Sequence, residues 1–420
     1  MNTTLNHSSI DSKRWFILCM CILANLCLGA EYAWSVYAGP LQAQFGWDVS
    51  VTSTAFAFSG ALSPITVIAG GKLQDTLGAK KVLFLGAFLW GGASILASMA
   101  STPMQLYLGY GVIGGCGAGI TYSCTIASAT RLFPDRRGFA AGLATAGYGG
   151  GALVFSPIIQ HLISSYGVSK AFLTAGSIYL IVILITSFAM INVPATYQPV
   201  GWTPVTDGKS LEFGVDKNWR QMLRDPLFYL LLGVFTCGLT SGLLVVSSAS
   251  SIAQTAVGLS AAMAATAVSA ISLGNLSGRI IWGALSDKFG RYKVIPVMYA
   301  ISAVSMFILA TVTMGDFVQF FICTMIAGMG YGGIMGVYPA LTADNFGITN
   351  NGTNYGFMFL GFSAATYLGP IMGSNLVIAN DGSYAYSFIF SAGLNLFGVV
   401  LMFLIIQLRK KQVTVHTETT

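Results

Sequence analysis

Twelve apolar stretches, each long enough to cross the ~30 Å of hydrocarbon in a bilayer, follow one another through this 420-residue chain. They run roughly 15–39, 51–71, 82–101, 105–130, 138–164, 170–193, 225–252, 260–284, 294–313, 317–343, 352–376 and 383–407. Lipid offers the backbone no hydrogen-bonding partner, so each stretch is read as an α-helix that satisfies its own N–H and C=O groups. Charged residues make up only 8% of the chain, against about 25% in a soluble domain, too few to clothe a water-facing surface. Fifty glycines suit helices whose backbones approach closely in lipid. The first run, after Lys13 and Arg14, is too long for the apolar core of a cleaved signal peptide and reads as a retained span. The fold class is an all-α membrane protein.

The positive residues fix the expected orientation. Assigning alternate loops to opposite sides with the N-terminus inside leaves only Lys170 outside and Arg279 within a span, so 18 of the 20 Lys and Arg fall on one face. The positive-inside bias makes that face cytoplasmic. Both termini are expected there, in the plasma membrane, as is the long polar connection 194–224. The chain also repeats itself. Gly71-Lys72-Leu73-Gln74-Asp75-Thr76-Leu77-Gly78-Ala79-Lys80-Lys81 after the second span is echoed by Gly283-Ala284-Leu285-Ser286-Asp287-Lys288-Phe289-Gly290-Arg291-Tyr292-Lys293 after the eighth, with the aspartates 287 − 75 = 212 residues apart. Gly142 and Gly356, in the fifth and eleventh spans, correspond at 356 − 142 = 214. The expected organisation is a six-helix bundle over 1–193, a linker over 194–224, and a second six-helix bundle with a short tail over 225–420, the substrate path lying between the halves.

The Gly-x-Leu-x-Asp-x-x-Gly pattern and its echo resemble the signature of the major facilitator superfamily. Arg131-Leu132-Phe133-Pro134-Asp135-Arg136-Arg137-Gly138, Asn275-Leu276-Ser277-Gly278-Arg279, Asn354-Tyr355-Gly356-Phe357 and Tyr32-Ala33-Trp34-Ser35 narrow the resemblance to the oxalate/formate antiporter family, relatives of the monocarboxylate transporters. It implies two pseudo-symmetric bundles, alternating access and a small carboxylate substrate. It also implies a gating role for Gly71, Asp75, Lys80, Gly283, Asp287 and Arg291, for which a plain tight turn is the alternative.

Glu31 and Arg279 are the two ionisable acid or base side chains placed well inside apolar spans, where a charge costs several kcal/mol unless paired or hydrated. Eight residues before Asp287, Arg279 stands about 12 Å into the bilayer. Its permanently charged, planar guanidinium matches a carboxylate with two parallel hydrogen bonds, and the resemblance makes it the carboxylate anchor. Asn275, one turn away, is placed to orient it. Glu31 is a candidate proton carrier or a structural, hydrogen-bonded glutamate; family members commonly carry an uncharged residue there. The aromatics Tyr32, Tyr122, Tyr148, Tyr331, Tyr355 and Phe359 lie at cavity depth, where hydroxyls can bond a carboxylate and rings can exclude water. By resemblance, all of these except Tyr355 match cavity-lining aromatics. The oxalate/formate exchangers carry a lysine eight residues after the Asn of the Asn-Tyr-Gly motif, and Phe362 occupies that position here. With one cation, a monoanion would be neutralised and a dianion would not.

These readings favour a proton-coupled transporter of lactate-like or pyruvate-like monocarboxylates. The alternatives are an oxalate/formate-type exchanger and a transport-inactive nutrient sensor, a class that usually adds a long soluble extension not apparent here. The expected partners are a small carboxylate anion, protons or a counter-anion, and the lipid bilayer. Nucleic acid, cofactor and metal are not expected: the seven cysteines sit in apolar runs with no metal-ligand spacing, and no nucleophile–base set marks an enzyme.

Overall fold

Every regular element among the described residues is a helix. The structure is a computed structural model and describes residues 7–194, 197–202, 216–259 and 261–418. Residues 195–196 and 203–215 of the expected connection, Lys209 among them, lie outside the described residues.

The first span is two helices, α1 (His7–Gly29) and α2 (Trp34–Phe45), joined by a 3₁₀ turn over Ala30–Ala33. The second and third are α3 (Val49–Leu77) and α4 (Ala79–Ser98). The fourth combines α5 (Pro103–Leu106), a π-helical stretch Tyr107–Gly114 and α6 (Gly115–Leu132), and the fifth and sixth are α7 (Arg137–Tyr166) and α8 (Val168–Ala189). After a short α9 (Trp219–Leu223) come α10 (Pro226–Thr255), α11 (Ala261–Phe289), α12 (Arg291–Leu309) and α13 (Phe317–Phe346). The eleventh span is interrupted at Phe359 between α14 (Asn351–Met358) and α15 (Leu360–Ala379), and α16 (Ala385–Glu418) is the twelfth. Among the described residues, ten spans are long and apolar enough to cross a membrane, and the two others expected are the helices α11 and α14–α15.

The repeated motif has a local reason. Gly78 and Gly290, each three residues after its aspartate, adopt φ +84° and +87°, a region that costs a side chain and suits glycine at a helix end. They let α3 turn directly into α4 and α11 into α12.

The chain packs as two units, Met1–Trp219 with Pro339–Phe359, and Arg220–Tyr338 with Leu360–Thr420. Within the first, α1 lies against α7 through glycines. A Cβ on Gly29 would overlap the Tyr148 carbonyl, and one on Gly151 would overlap the Gly29 backbone. Within the second, α11 and α13 meet along a seam of glycines four residues apart. Gly274 and Gly278 face the carbonyls of Met325 and Met329, while Gly328, Gly332 and Gly336 face those of Ile271, Asn275 and Arg279. Small residues at this spacing replace hydrophobic drive with backbone van der Waals contact in lipid. Gly29→Ala is expected to destabilise the first unit by about 1–3 kcal/mol, the usual cost of overpacking. Thermal unfolding of the purified protein checks this, and an unchanged midpoint would mean that the α1–α7 seam yields freely.

Candidate functional site

In the first unit the candidate residues gather around a carboxylate. Glu31 sits in the 3₁₀ turn that breaks the first span and is 6% exposed. The Ser59 hydroxyl, from α3, donates to its Oε1 at 2.5 Å, and the Tyr148 hydroxyl, from α7, donates to its Oε2 at 2.5 Å. Both oxygens of the buried acid therefore have donors, which is the condition for holding such a group in an apolar interior. Aromatic rings extend from this point. Tyr148 makes edge contacts with Tyr32 at 5.2 Å and Tyr122 at 5.4 Å between centroids. Tyr122 meets Phe359 at 5.5 Å, and Phe359 meets Tyr355 at 5.9 Å. Tyr32 is 40% exposed, whereas Tyr122, Tyr355 and Phe359 are buried. The structure thus gathers Glu31, Tyr32, Tyr122, Tyr148, Tyr355 and Phe359 into one connected group.

In the second unit, Arg279 is 1% exposed. Its Nε donates to Asn275 Oδ1 at 2.9 Å, one turn back on α11. The glycine seam holds both residues' backbones against α13, and the Asn275 bond holds the Nε edge of the guanidinium. Tyr331 is buried on α13, its ring packed over Gly242 of α10. Phe362 lies on α15 and is partly buried.

The two copies of the repeated motif are not used alike. Asp75 pairs with Arg131 of α6 at 2.8 Å, and its other oxygen accepts from the Thr353 amide at 3.1 Å and hydroxyl at 2.7 Å. Arg131 also donates to the Thr349 carbonyl at 2.6 Å, and Arg137 pairs with Asp344 at 2.8 Å. Gly71 allows this approach, since a Cβ there would overlap the Gly352 carbonyl. Lys80 takes no part in the Asp75 pair: it is exposed, with its ammonium 5.4 Å from the centre of the Phe188 ring. In the second copy, Asp287 pairs with Arg291 one turn on at 2.9 Å, and Gly283 is buried.

Sequence reasoning did not single out Ser59, Arg131, Thr353, Arg137 or Asp344 as site residues. Arg131 and Arg137 stand within a quoted motif and carried a signal. Ser59 and Thr353 carried none, because a hydroxyl residue inside a span is ordinary.

The sequence pattern of the Major Facilitator Superfamily matches residues 19–250 and 230–419. The chain is 34% identical over 360 residues to the "Uncharacterized MFS-type transporter YhjX" of Escherichia coli, covering 84% of this chain and 86% of that protein. It is 33% identical over 384 residues to the "Oxalate:formate antiporter" of Oxalobacter formigenes, covering 90% and 88%. Among solved structures, the fold matches the major facilitator transporter FucP with a TM-score of 0.73 at 16% identity, over 92% of this chain and 98% of that one.

Proposed function

Because this chain belongs to the major facilitator superfamily, whose members are membrane transporters, we propose that it carries small monocarboxylates of the lactate or pyruvate type together with protons, by alternating access. The observation that carries this reading is the buried guanidinium of Arg279, oriented by Asn275. A permanent cation at membrane depth is costly unless an anion or a polar cavity compensates it, and its planar fork fits a carboxylate. Tyr32, Tyr122, Tyr148, Tyr331 and Phe359 supply hydroxyls and apolar walls, and Glu31 takes the proton that balances the anion. Asp75, held by Arg131 and Thr353 beneath Gly71, acts as a charge latch on the cytoplasmic side, with Asp287 and Arg291 as its counterpart. The latch contacts break and reform as access alternates. The basic face that carries both termini is cytoplasmic in this reading, and the membrane is the plasma membrane.

Counterflow of labelled lactate, pyruvate, formate and oxalate into liposomes tests the proposal. Failure of every monocarboxylate to exchange would overturn it. A second reading, exchange of oxalate for formate, is favoured by the 33% identity to the antiporter of that name. The identity of residue 362 separates the two. Phe362 supplies no charge where the exchangers carry lysine, so a dianion beside Arg279 would keep one negative charge uncompensated. Phe362→Lys is therefore expected to strengthen oxalate competition against labelled lactate by about tenfold, which is about 1.4 kcal/mol. No gain in a well-folded variant would mean that Phe362 plays no part in charge selection.

A further inference from the structure

Ser59 has no place in the proposed transport cycle, yet it donates one of the two shortest hydrogen bonds to the buried Glu31 carboxylate. Both irregular stretches of the first unit bear on this acid. Glu31 itself lies in the 3₁₀ turn Ala30–Ala33, and Tyr110, which interacts electrostatically with it, lies in the π-helical stretch Tyr107–Gly114. Irregular turns inside otherwise regular spans recur at functional hinges. Ser59 is held firmly as well. A Cβ on Gly115 would overlap the Ser59 backbone, so α3 and the fourth span are in van der Waals contact at this residue. Among the described residues, the titratable groups that act on Glu31 include Tyr148 from α7, which donates to it, and Tyr110 from the fourth span, which feels its charge.

We propose that Ser59 is a positioning residue for Glu31, and that the hydroxyl of Tyr148 is the switch linking the proton to the substrate anion. This rests on the monocarboxylate–proton reading above and deepens it. With no substrate, Ser59 and Tyr148 each donate to one carboxylate oxygen and together favour the anion. A bound substrate carboxylate draws the Tyr148 hydroxyl proton into a hydrogen bond of its own. Glu31 then keeps one donor instead of two and binds a proton from water on the open side. The anion and the proton enter together, and Ser59 keeps Glu31 in place while its second donor comes and goes. Serine suits this task because its short side chain lets it donate without reaching the substrate itself.

The full-length protein in liposomes is titrated while infrared difference spectroscopy follows the C=O stretch of the protonated Glu31 carboxyl, assigned by its loss in Glu31→Gln. Ser59→Ala is expected to move the midpoint to higher pH by about one unit, the effect of one lost donor. Ser59→Thr, which keeps the hydroxyl, is expected to return it. An unmoved midpoint in Ser59→Ala, or a Thr variant that behaves like Ala, overturns the positioning role. Adding saturating lactate at fixed pH is expected to increase the band in the wild type and leave it unchanged in Tyr148→Phe. A wild-type band indifferent to bound lactate overturns the switch. Absence of lactate counterflow in the same liposomes sinks the monocarboxylate reading instead, and the substrate-free Ser59 titration still decides the positioning role.

Discussion

Arg279→Lys is expected to lose about tenfold to a hundredfold in affinity for the carboxylate substrate, although it keeps the charge. A hydrogen bond to a charged group contributes about 1.5–3 kcal/mol, and the change removes one of two such bonds together with the geometry that aligns them. Arg279 donates through Nε to Asn275 Oδ1 at 2.9 Å, and this contact fixes the plane in which the two terminal nitrogens lie. Lysine has no nitrogen at that point on its stem, so Asn275 would lose its partner and the ammonium would act as a point charge on a flexible chain. The backbone will not adjust to compensate, because Gly332 and Gly336 hold the carbonyls of Asn275 and Arg279 against α13. Equilibrium binding of labelled lactate to the purified variant measures the loss, with thermal unfolding to show that the fold survives. Wild-type affinity in the lysine variant would mean that charge alone suffices and that Arg279 is not a two-point anchor.

The helices were legible because lipid imposes a hydropathy signal so strong that the apolar runs coincide with observed helices. What hydropathy misses is helix type. The 3₁₀ turn at Ala30–Ala33 and the π stretch at Tyr107–Gly114 are as apolar as the helices around them, so the first and fourth spans read as continuous. The break at Phe359 was hidden for the same reason. The repeated motif was legible as a repeat, and the positive φ of Gly78 and Gly290 gives its glycines a physical cause. Its ion pairs were not legible. Asp75 has lysines five and six residues on in sequence, yet its partners are Arg131 and Thr353. Lys80 lies in the first turn of the next helix after the Gly78 turn, and its ammonium is directed to the Phe188 ring. Spacing locates a charged loop, but the partner is chosen by which distant helix end the fold brings alongside. The glycine seam of α11 and α13 is an intermediate case. Its four-residue spacing is visible at Gly274 and Gly278 and again at Gly328, Gly332 and Gly336, and only the structure shows that the two sets face each other.

Glu31→Gln is expected to abolish lactate accumulation driven by an inwardly directed proton gradient while leaving lactate-for-lactate exchange largely intact. Accumulation requires a group that carries the proton across with the anion and then releases it. Glu31 is the buried carboxylate whose oxygens receive Ser59 and Tyr148. Glutamine has nearly the same shape, and its carbonyl oxygen can still accept from one hydroxyl. Its NH₂ group can donate to an oxygen of the other, so packing is preserved while the proton site is removed. With the proton site permanently neutral, the loaded transporter resembles the protonated wild type and can still reorient, which is all that exchange requires. The unloaded variant has no carboxylate to take up or release a proton and leaves the Arg279 charge uncompensated, so the empty carrier does not return and the gradient has nothing to act on. Uptake into sealed liposomes at set internal and external pH measures accumulation, and trans-stimulated uptake at equal pH measures exchange. Loss of both activities in a folded variant would assign Glu31 to substrate binding or structure rather than to coupling. Accumulation that survives the substitution would place the proton on another group. If the wild type itself ignores the pH gradient while exchanging lactate, proton symport fails. The exchanger reading then leads, with Arg279 as its proposed anchor and the return of the empty carrier replaced by the return of a loaded one.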